Sequence, residues 1–169
     1  LCQSNEGLSL GDLQGNRFDI VIRECTAPDL KETVMQVTRD VAQGIPNFYG
    51  LQRFGGVRPV THRVGECILA GDYEQAVLTY IGQAFPLEQE SIRHIRTQFL
   101  QTHDPQSALR EFPVTMSYER AMLQHLCNHT GDYAGALQNL PPRLLSLFVS
   151  AFQSYLFNES LSRRRRWGS

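Results

Sequence analysis

The stretch Gly44-Ile45-Pro46-Asn47-Phe48-Tyr49-Gly50-Leu51-Gln52-Arg53-Phe54-Gly55-Gly56 separates a strand-like beginning of the chain from a helical remainder. It contains four glycines, one proline and three aromatic residues. Its apolar positions follow neither the helical period of about 3.6 residues nor the strand period of two. We therefore predict a shaped loop over residues 44–56. Because loops rich in aromatic and polar side chains often carry functional groups, this loop is the first candidate site.

The residues before the loop predict one strand followed by one helix. Apolar and polar residues alternate over residues 17–23, which is the pattern of a half-buried strand. Asp29 and Glu32 then form a capping box, and apolar residues at helical spacing continue towards Gly44. A strand followed by a helix favours an α/β or an α+β fold at this end of the chain. The apolar strand positions are Phe18, Ile20 and Ile22, and the apolar helix positions are Leu30, Val34, Val37 and Val41.

The residues after the loop have helical patterns throughout. Start signals include Asp72 and Asp132 as N-caps, the pair Asp104-Pro105, and Pro142 at the start of a long apolar stripe. We predict at least six helices here. The segment that begins Gly71-Asp72-Tyr73 resembles the one that begins Gly131-Asp132-Tyr133, so a degenerate helical repeat stays open as an alternative.

Charge is unevenly distributed along a chain whose net charge is only −1. Residues 44–66 carry a net charge of +2 and residues 143–169 carry +4, whereas the stretches 1–43 and 67–142 are acidic. Of the 16 basic residues, only Lys31 is a lysine. Arginine favours planar, bidentate contacts with phosphate or carboxylate groups. A polyanionic partner would therefore bind the two basic stretches.

The sequence contains no marker of a membrane protein or a cofactor enzyme. It has no run of 18 apolar residues and no visible signal peptide, so we expect a soluble, cytoplasmic protein. Its four cysteines include no Cys-x-x-Cys pair, and no glycine-rich phosphate loop precedes a helix. His125 and His129 are four residues apart on one predicted helix, and such a pair is more often a surface feature than a metal site. We predict no metal and no cofactor.

Residues 44–55 resemble the second signature of the TruD family of tRNA pseudouridine synthases. The shared features are an Asn, two aromatic residues, a Gly and the sequence Gln-Arg-Phe-Gly in this order. Three further segments resemble the family in order and spacing: residues 11–18, 58–62 and 151–158. The resemblance therefore runs from about Gly11 to Asn158, and the helical middle of the chain matches loosely.

The resemblance implies an α+β fold: a catalytic domain with a mixed sheet and helices, and a largely helical inserted domain of TruD type. We expect residues 1–66 and 142–169 to belong to the catalytic domain and residues 67–141 to form the insertion. The implied function is isomerisation of a uridine in the D-arm of tRNA, at position 13 in the family, to pseudouridine without a cofactor. The implied partner is tRNA.

The resemblance also assigns roles to individual residues. Tyr49 matches the family position that stacks on the uracil, a role that suits a base taken out of its stack. Asn47 would orient the nucleophilic carboxylate or the base, and Asn158 would form hydrogen bonds near the loop. The other candidates for RNA binding or for bracing the pocket are Gln52, Arg53, Arg58, Arg63, Asn158, Arg163, Arg164, Arg165 and Arg166.

The catalytic nucleophile of the family is not found in this sequence. It is an aspartate in a Gly-x-Lys-Asp type signature, and no Lys-Asp pair occurs here. We therefore expect the nucleophile upstream of Leu1 and predict that the chain is a fragment that cannot catalyse the reaction alone. The missing aspartate leaves a second interpretation open, a non-catalytic RNA-binding module or a helical-repeat adaptor. The intact loop argues against it, since an adaptor does not need a base-stacking pocket.

Overall fold

The computed structural model describes Gly15 and residues 17–26, 28–42 and 44–167, without the side chains of residues 165–167. These residues divide into two compact units, one ending at Ile45 and the other beginning at Pro46. Most of the segment 11–18, which carries part of the resemblance, lies outside the described residues. None of the described helices is long and apolar enough to cross a membrane.

The described residues of the first unit contain one helix, α1 (Leu30–Ala42). Asp29 caps it as predicted, because its Oδ1 accepts a hydrogen bond of 3.1 Å from the backbone N–H of Glu32. None of the residues of α1 is buried within this unit. Its apolar stripe is therefore exposed at Leu30, Val34, Val37 and Val41.

The predicted α+β fold with a mixed sheet is wrong for the described residues, which form helices and no strand. Residues 17–23 follow the alternating pattern, but Phe18, Ile20 and Ile22 are each more than 70% exposed, at 76%, 80% and 79%. A strand exists only when its backbone N–H and C=O groups pair with a neighbouring strand. Alternation predicts which side chains would share a face, and the described residues supply no partner.

The second unit is helical and begins with the loop. A 3₁₀ turn (Leu51–Phe54) lies in the loop, and seven α-helices follow within the described residues. They are α2 (Thr61–Ala70), α3 (Tyr73–Gly82), α4 (Glu90–Thr102), α5 (Pro105–Glu111), α6 (Ser117–Asn128), α7 (Tyr133–Gln138) and α8 (Pro142–Trp167).

The two similar segments found in the sequence both begin helices, as predicted. Gly71 and Gly131 adopt left-handed backbone angles, with φ of 75° and 81°. Asp72 and Asp132 follow them as N-caps of α3 and α7, each accepting a hydrogen bond from a backbone N–H three residues later. The helices α3 and α7 pack against each other in the core.

The core of the second unit joins helices from both ends of the chain. Val64 of α2 and Phe148 of α8 are buried in one apolar cluster with residues of α3 to α7. The helices α2 and α8 lie close together at Gly65, where a Cβ atom would overlap the backbone carbonyl of Phe148. The predicted domain boundaries after residues 66 and 141 stay a prediction for the whole protein.

Four charged side chains form a buried group that we call the interior ion cluster: Arg58, Glu88, Arg96 and Glu119. The Nε of Arg96 lies 2.9 Å from Glu88 Oε1, and its Nη2 lies 2.9 Å from Glu119 Oε1. Arg58 Nε lies 3.1 Å from the same Glu88 oxygen. Buried charges are tolerated when they are paired and hydrogen-bonded. The cluster therefore joins Arg58, two residues after the loop, to α4 and α6.

Candidate functional site

The loop ends in a turn that is fixed onto α2. Gly55 has a φ of 115°, a left-handed conformation that suits glycine, and a Cβ at this position would overlap the carbonyl of Arg58. The hydroxyl of Thr61 donates a hydrogen bond of 2.8 Å to the carbonyl of Phe54. Phe54 is itself buried. The C-terminal end of the loop is therefore held against the start of α2.

The side chain of Asn158 holds the backbone of Tyr49 from 109 residues away in sequence. The N–H of Tyr49 donates to Asn158 Oδ1 at 2.9 Å, and Asn158 Nδ2 donates to the carbonyl oxygen of Tyr49 at 3.0 Å. One amide thus satisfies both backbone groups of one residue, as a paired strand would. This double hydrogen bond fixes the loop to α8 at Tyr49.

The ring of Tyr49 is flanked by protein groups yet remains open to solvent. Phe157 of α8 packs in an edge-to-face arrangement, with ring centroids 5.6 Å apart. The guanidinium carbon of Arg53 lies 5.7 Å from the centroid of the Tyr49 ring. The residue is still 47% exposed. An aromatic surface that is held in place and accessible can stack on a nucleobase.

Arg53 is oriented by a buried serine. Its Nε donates a hydrogen bond of 3.0 Å to Ser154 Oγ. The hydroxyl of Ser154 donates in turn to the carbonyl of Ser150 at 2.8 Å, so its lone pairs are left to accept from Arg53. Ser154 is 4% exposed. The guanidinium plane of Arg53 is therefore fixed relative to α8.

The ring of His62 packs between two aromatic side chains, one from the loop and one from α8. The ring of His62 stacks on Tyr155, with centroids 5.0 Å apart, and contacts the ring of Phe54 edge to face at 5.2 Å. Burial lowers the pKa of His62 below its ordinary value, and the charge of Arg63 lowers it further, against an opposing effect of Glu66. Both effects disfavour the protonated imidazole, which suits a ring that packs between two aromatic side chains.

The predicted site residues do not all lie together. Tyr49 contacts both Arg53 and Asn158, and Asn47 and Gln52 are exposed on the same loop. Arg58 is separate: its guanidinium is bound in the interior ion cluster and also donates to the carbonyl of Tyr80 at 2.7 Å. Arg63, Arg163 and Arg164 are exposed, and the side chains of Arg165 and Arg166 lie outside the described residues.

Two residues of this arrangement were not predicted, Ser154 and Phe157. A signal for Ser154 was present, because it precedes Asn158 by four residues and therefore lies on the same face of α8. The part of the chain that the structure describes contains no group of three or more residues able to hold a metal ion.

Comparison with known proteins identifies the family. The family model for tRNA pseudouridine synthase D (TruD) matches residues 1–169. The chain belongs to the TruD family. The resemblance carried by the loop and by the segment 151–158 is thereby confirmed.

Named relatives match more than nine-tenths of this TruD-family chain. It is 40% identical over 172 residues to "Probable tRNA pseudouridine synthase D" of Methanococcoides burtonii, a match that covers 99% of this chain and 39% of that protein. It is 44% identical over 156 residues to the protein of the same name from Methanopyrus kandleri, covering 91% of this chain and 38% of that protein.

A solved structure of the family has the same fold over most of the chain. The crystal structure of a protein described as tRNA pseudouridine synthase D (TruD) from Methanosarcina mazei superposes with a TM-score of 0.77 and 41% identity. The match covers 81% of this chain and 32% of that one. The chain thus spans less than half the length of the relatives it matches.

Proposed function

We propose that the protein containing this chain is a tRNA pseudouridine synthase that isomerises a uridine in the D-arm of tRNA, at position 13. The observation that carries this proposal is the double hydrogen bond by which Asn158 holds Tyr49, in a loop that bears the family signature. The arrangement supports the stacking of a base that has left its own helix.

The proposed reaction is an internal transfer of the ribose. The bond between the ribose C1′ and uracil N1 breaks, and a bond between C1′ and uracil C5 forms. The proton on C5 leaves and N1 gains one, so the reaction is redox-neutral and needs no external oxidant or reductant. We therefore propose no cofactor. The chain's contribution is to bind and orient the base rather than to supply the nucleophile.

Tyr49 and Asn47 are the proposed base-binding residues. The exposed ring of Tyr49 would stack on the uracil in place of the neighbouring bases that the nucleotide loses on leaving the stack. Asn47, exposed two residues earlier, would use its amide to orient the base or the nucleophilic carboxylate. The nucleophilic aspartate is proposed to lie upstream of Leu1, because the chain contains no Lys-Asp pair.

The RNA partner is proposed to be tRNA in the cytoplasm. Exposed arginines lie in the first turn of α2 and in the last turns of α8, at Arg63, Arg163 and Arg164. Arginine contacts to phosphates fix the position of a nucleic acid and make its affinity dependent on salt. These residues would hold the tRNA backbone, while the loop would bind the target base.

The test is a tritium-release assay with the complete gene product. An unmodified tRNA transcript labelled with tritium at uracil C5 should release label, and mapping should place pseudouridine at position 13. A transcript with cytidine at that position is the matched control and should release no label from that site. Absence of release from the uridine transcript would reject the proposed function.

A second arm uses the 169-residue chain alone. We expect it to be inactive on the same transcript, since its sequence lacks the Lys-Asp pair of the nucleophile signature. Turnover by this chain would show that the nucleophile lies within it and would contradict that assignment.

A further inference from the structure

We propose that Arg53 and the open pocket beside it bind a backbone phosphate of the RNA next to the target nucleotide. This inference rests on the proposed function and assigns one contact within it. Ser154 is a positioning residue for Arg53.

The first argument is the fixed direction of the guanidinium group. The Nε of Arg53 is held by Ser154 Oγ, whose own hydrogen is donated to the carbonyl of Ser150. Among the described residues, the two terminal amino groups of Arg53 form no hydrogen bond, and its Nε bonds to Ser154. Arginine presents these donors in a planar fork that matches two oxygens of a phosphate. The fork is therefore oriented and available.

The second argument is electrostatic. No carboxylate of the described residues lies within 4.0 Å of the Arg53 guanidinium, whereas Arg58 and Arg96 are both paired with glutamates. Arg53 is half-buried, so it is less hydrated than a fully exposed arginine. A partly desolvated cation without a counter-charge attracts an anion more strongly than a solvated one does. The expected ligand is an anion from outside the described residues.

The third argument is the space beside Arg53. A pocket of about 400 Å³ is lined by Gly50, Gln52, Arg53 and Leu147, none of which is acidic. A Cβ atom at Gly50 would meet no atom within 4 Å, so an anion can approach the backbone there. The amide of Gln52 is exposed on the same loop and can donate to a phosphate oxygen.

The position of the pocket identifies which phosphate is bound. The guanidinium carbon of Arg53 lies 5.7 Å from the centroid of the Tyr49 ring. Because Arg53 contacts the proposed base-stacking residue, the expected ligand is a phosphate next to the base that stacks on Tyr49. Binding that phosphate would restrain the nucleotide after it has left the helix, when its backbone is most distorted.

The experiment replaces single phosphates of the tRNA transcript by uncharged methylphosphonates and measures Kd and kcat/KM with the complete gene product. For the unaltered protein, we expect one substitution adjacent to the target uridine to weaken binding about tenfold, the effect of one lost charge-assisted hydrogen bond. Arg53→Gln should weaken binding of the normal transcript to a similar extent and should be insensitive to that same methylphosphonate. Its plot of log Kd against log salt should lose about one unit of slope.

Two more variants separate a phosphate contact from a general structural effect. Arg110→Gln removes an exposed arginine of α5 and should bind normally while keeping full sensitivity to the methylphosphonate. Ser154→Ala keeps the charge of Arg53 but removes its anchor. It should keep the salt slope and lose most of the sensitivity at that one phosphate, a pattern that misfolding does not produce.

The outcomes distinguish this inference from the proposed function. If Arg53→Gln remains as sensitive as the unaltered protein to every methylphosphonate, Arg53 does not bind a phosphate and the inference is overturned. If the unaltered protein forms no pseudouridine, the proposed function fails, and the Kd measurements still decide whether Arg53 contacts the RNA backbone.

Discussion

Arginine has different partners in the interior ion cluster and at the loop edge, by which we mean Tyr49 and Arg53 with the α8 residues that hold them. In the cluster, Arg96 is 1% exposed and lies 2.9 Å from carboxylate oxygens of both Glu88 and Glu119. At the loop edge, Arg53 is half-buried and is held by the neutral hydroxyl of Ser154. In the cluster, two glutamates balance the charges of two arginines. At the loop edge, no carboxylate of the described residues balances the charge of Arg53.

This difference separates a structural charge from a charge available to a ligand. Proximity to the signature loop does not decide between the two uses, because Arg58, only five residues after Arg53, belongs to the cluster. A paired buried arginine contributes to the fold and offers little to a partner. An oriented arginine without a carboxylate contributes little to the fold and is suited to an anion.

The largest expected effect comes from breaking the cluster with Arg96→Met. The change leaves two glutamates to share Arg58, so one buried carboxylate loses its full partner. We expect a loss of about 3–5 kcal/mol in the free energy of unfolding, measured by urea denaturation followed by circular dichroism. The surface variant Arg110→Gln is the control and should change stability by less than about 0.5 kcal/mol. A loss for Arg96→Met below about 1 kcal/mol would show that the cluster is not a structural unit.

The next effect comes from removing the aromatic surface at the loop edge with Tyr49→Ala. Stacking on one base contributes about 1–3 kcal/mol, so kcat/KM of the complete gene product should fall about fivefold to about 150-fold. Tyr49→Phe keeps the ring and should retain most of the activity. Stability should change little, because Tyr49 is exposed. Equal losses for both variants would assign the role to the hydroxyl and not to the ring.

A smaller effect is expected for Asn158→Ala, which releases the backbone of Tyr49 from α8. Two hydrogen bonds are lost at a partly solvated position, each with a net value of about 1 kcal/mol. We expect kcat/KM to fall about tenfold. Asn158→Asp keeps the oxygen that accepts from the N–H of Tyr49, so its kcat/KM should lie between those of the unaltered protein and Asn158→Ala. If both variants are as active as the unaltered protein, Asn158 is not part of the site.

The helices and their ends were predictable from local sequence. The signals at Asp29, Asp72 and Asp132 depend on side chains that bond to backbone groups within three residues, so neighbouring sequence is sufficient to find them. The strand over residues 17–23 was predicted wrongly, because pairing between strands depends on a distant partner that alternation does not reveal.

The site was partly predictable for a related reason. The family resemblance indicated Tyr49, Asn47 and Asn158 as functional, but no sequence rule pairs residues that are 109 positions apart. Arg53 and Arg58 look equivalent in sequence, since both are arginines near the glycine-rich turn. Only the fold shows that Glu88 and Glu119 compensate one of them and not the other.

The smallest expected effect is the loss of stability when His62 is protonated. Burial and the nearby Arg63 lower the pKa of His62, while Glu66 opposes them. His62 therefore binds a proton at higher pH in the unfolded chain than in the folded chain. The free energy of unfolding keeps its full contribution from His62 above about pH 6.5 and loses it as the pH falls below that value. Urea denaturation at about pH 7.5 and about pH 5 should show this decline.

His62→Phe keeps an aromatic ring between Phe54 and Tyr155 and removes the titration. It should reduce the loss of stability on acidification, whereas the same change at the exposed His94 should leave that loss unaltered. Because the imidazole is only half-buried, solvent screening keeps the difference small. If both variants lose stability equally between the two pH values, the ring of His62 is not held neutral by its surroundings. A reduced loss for His62→Phe alone would show that burial and the charge of Arg63 disfavour the protonated imidazole at this position.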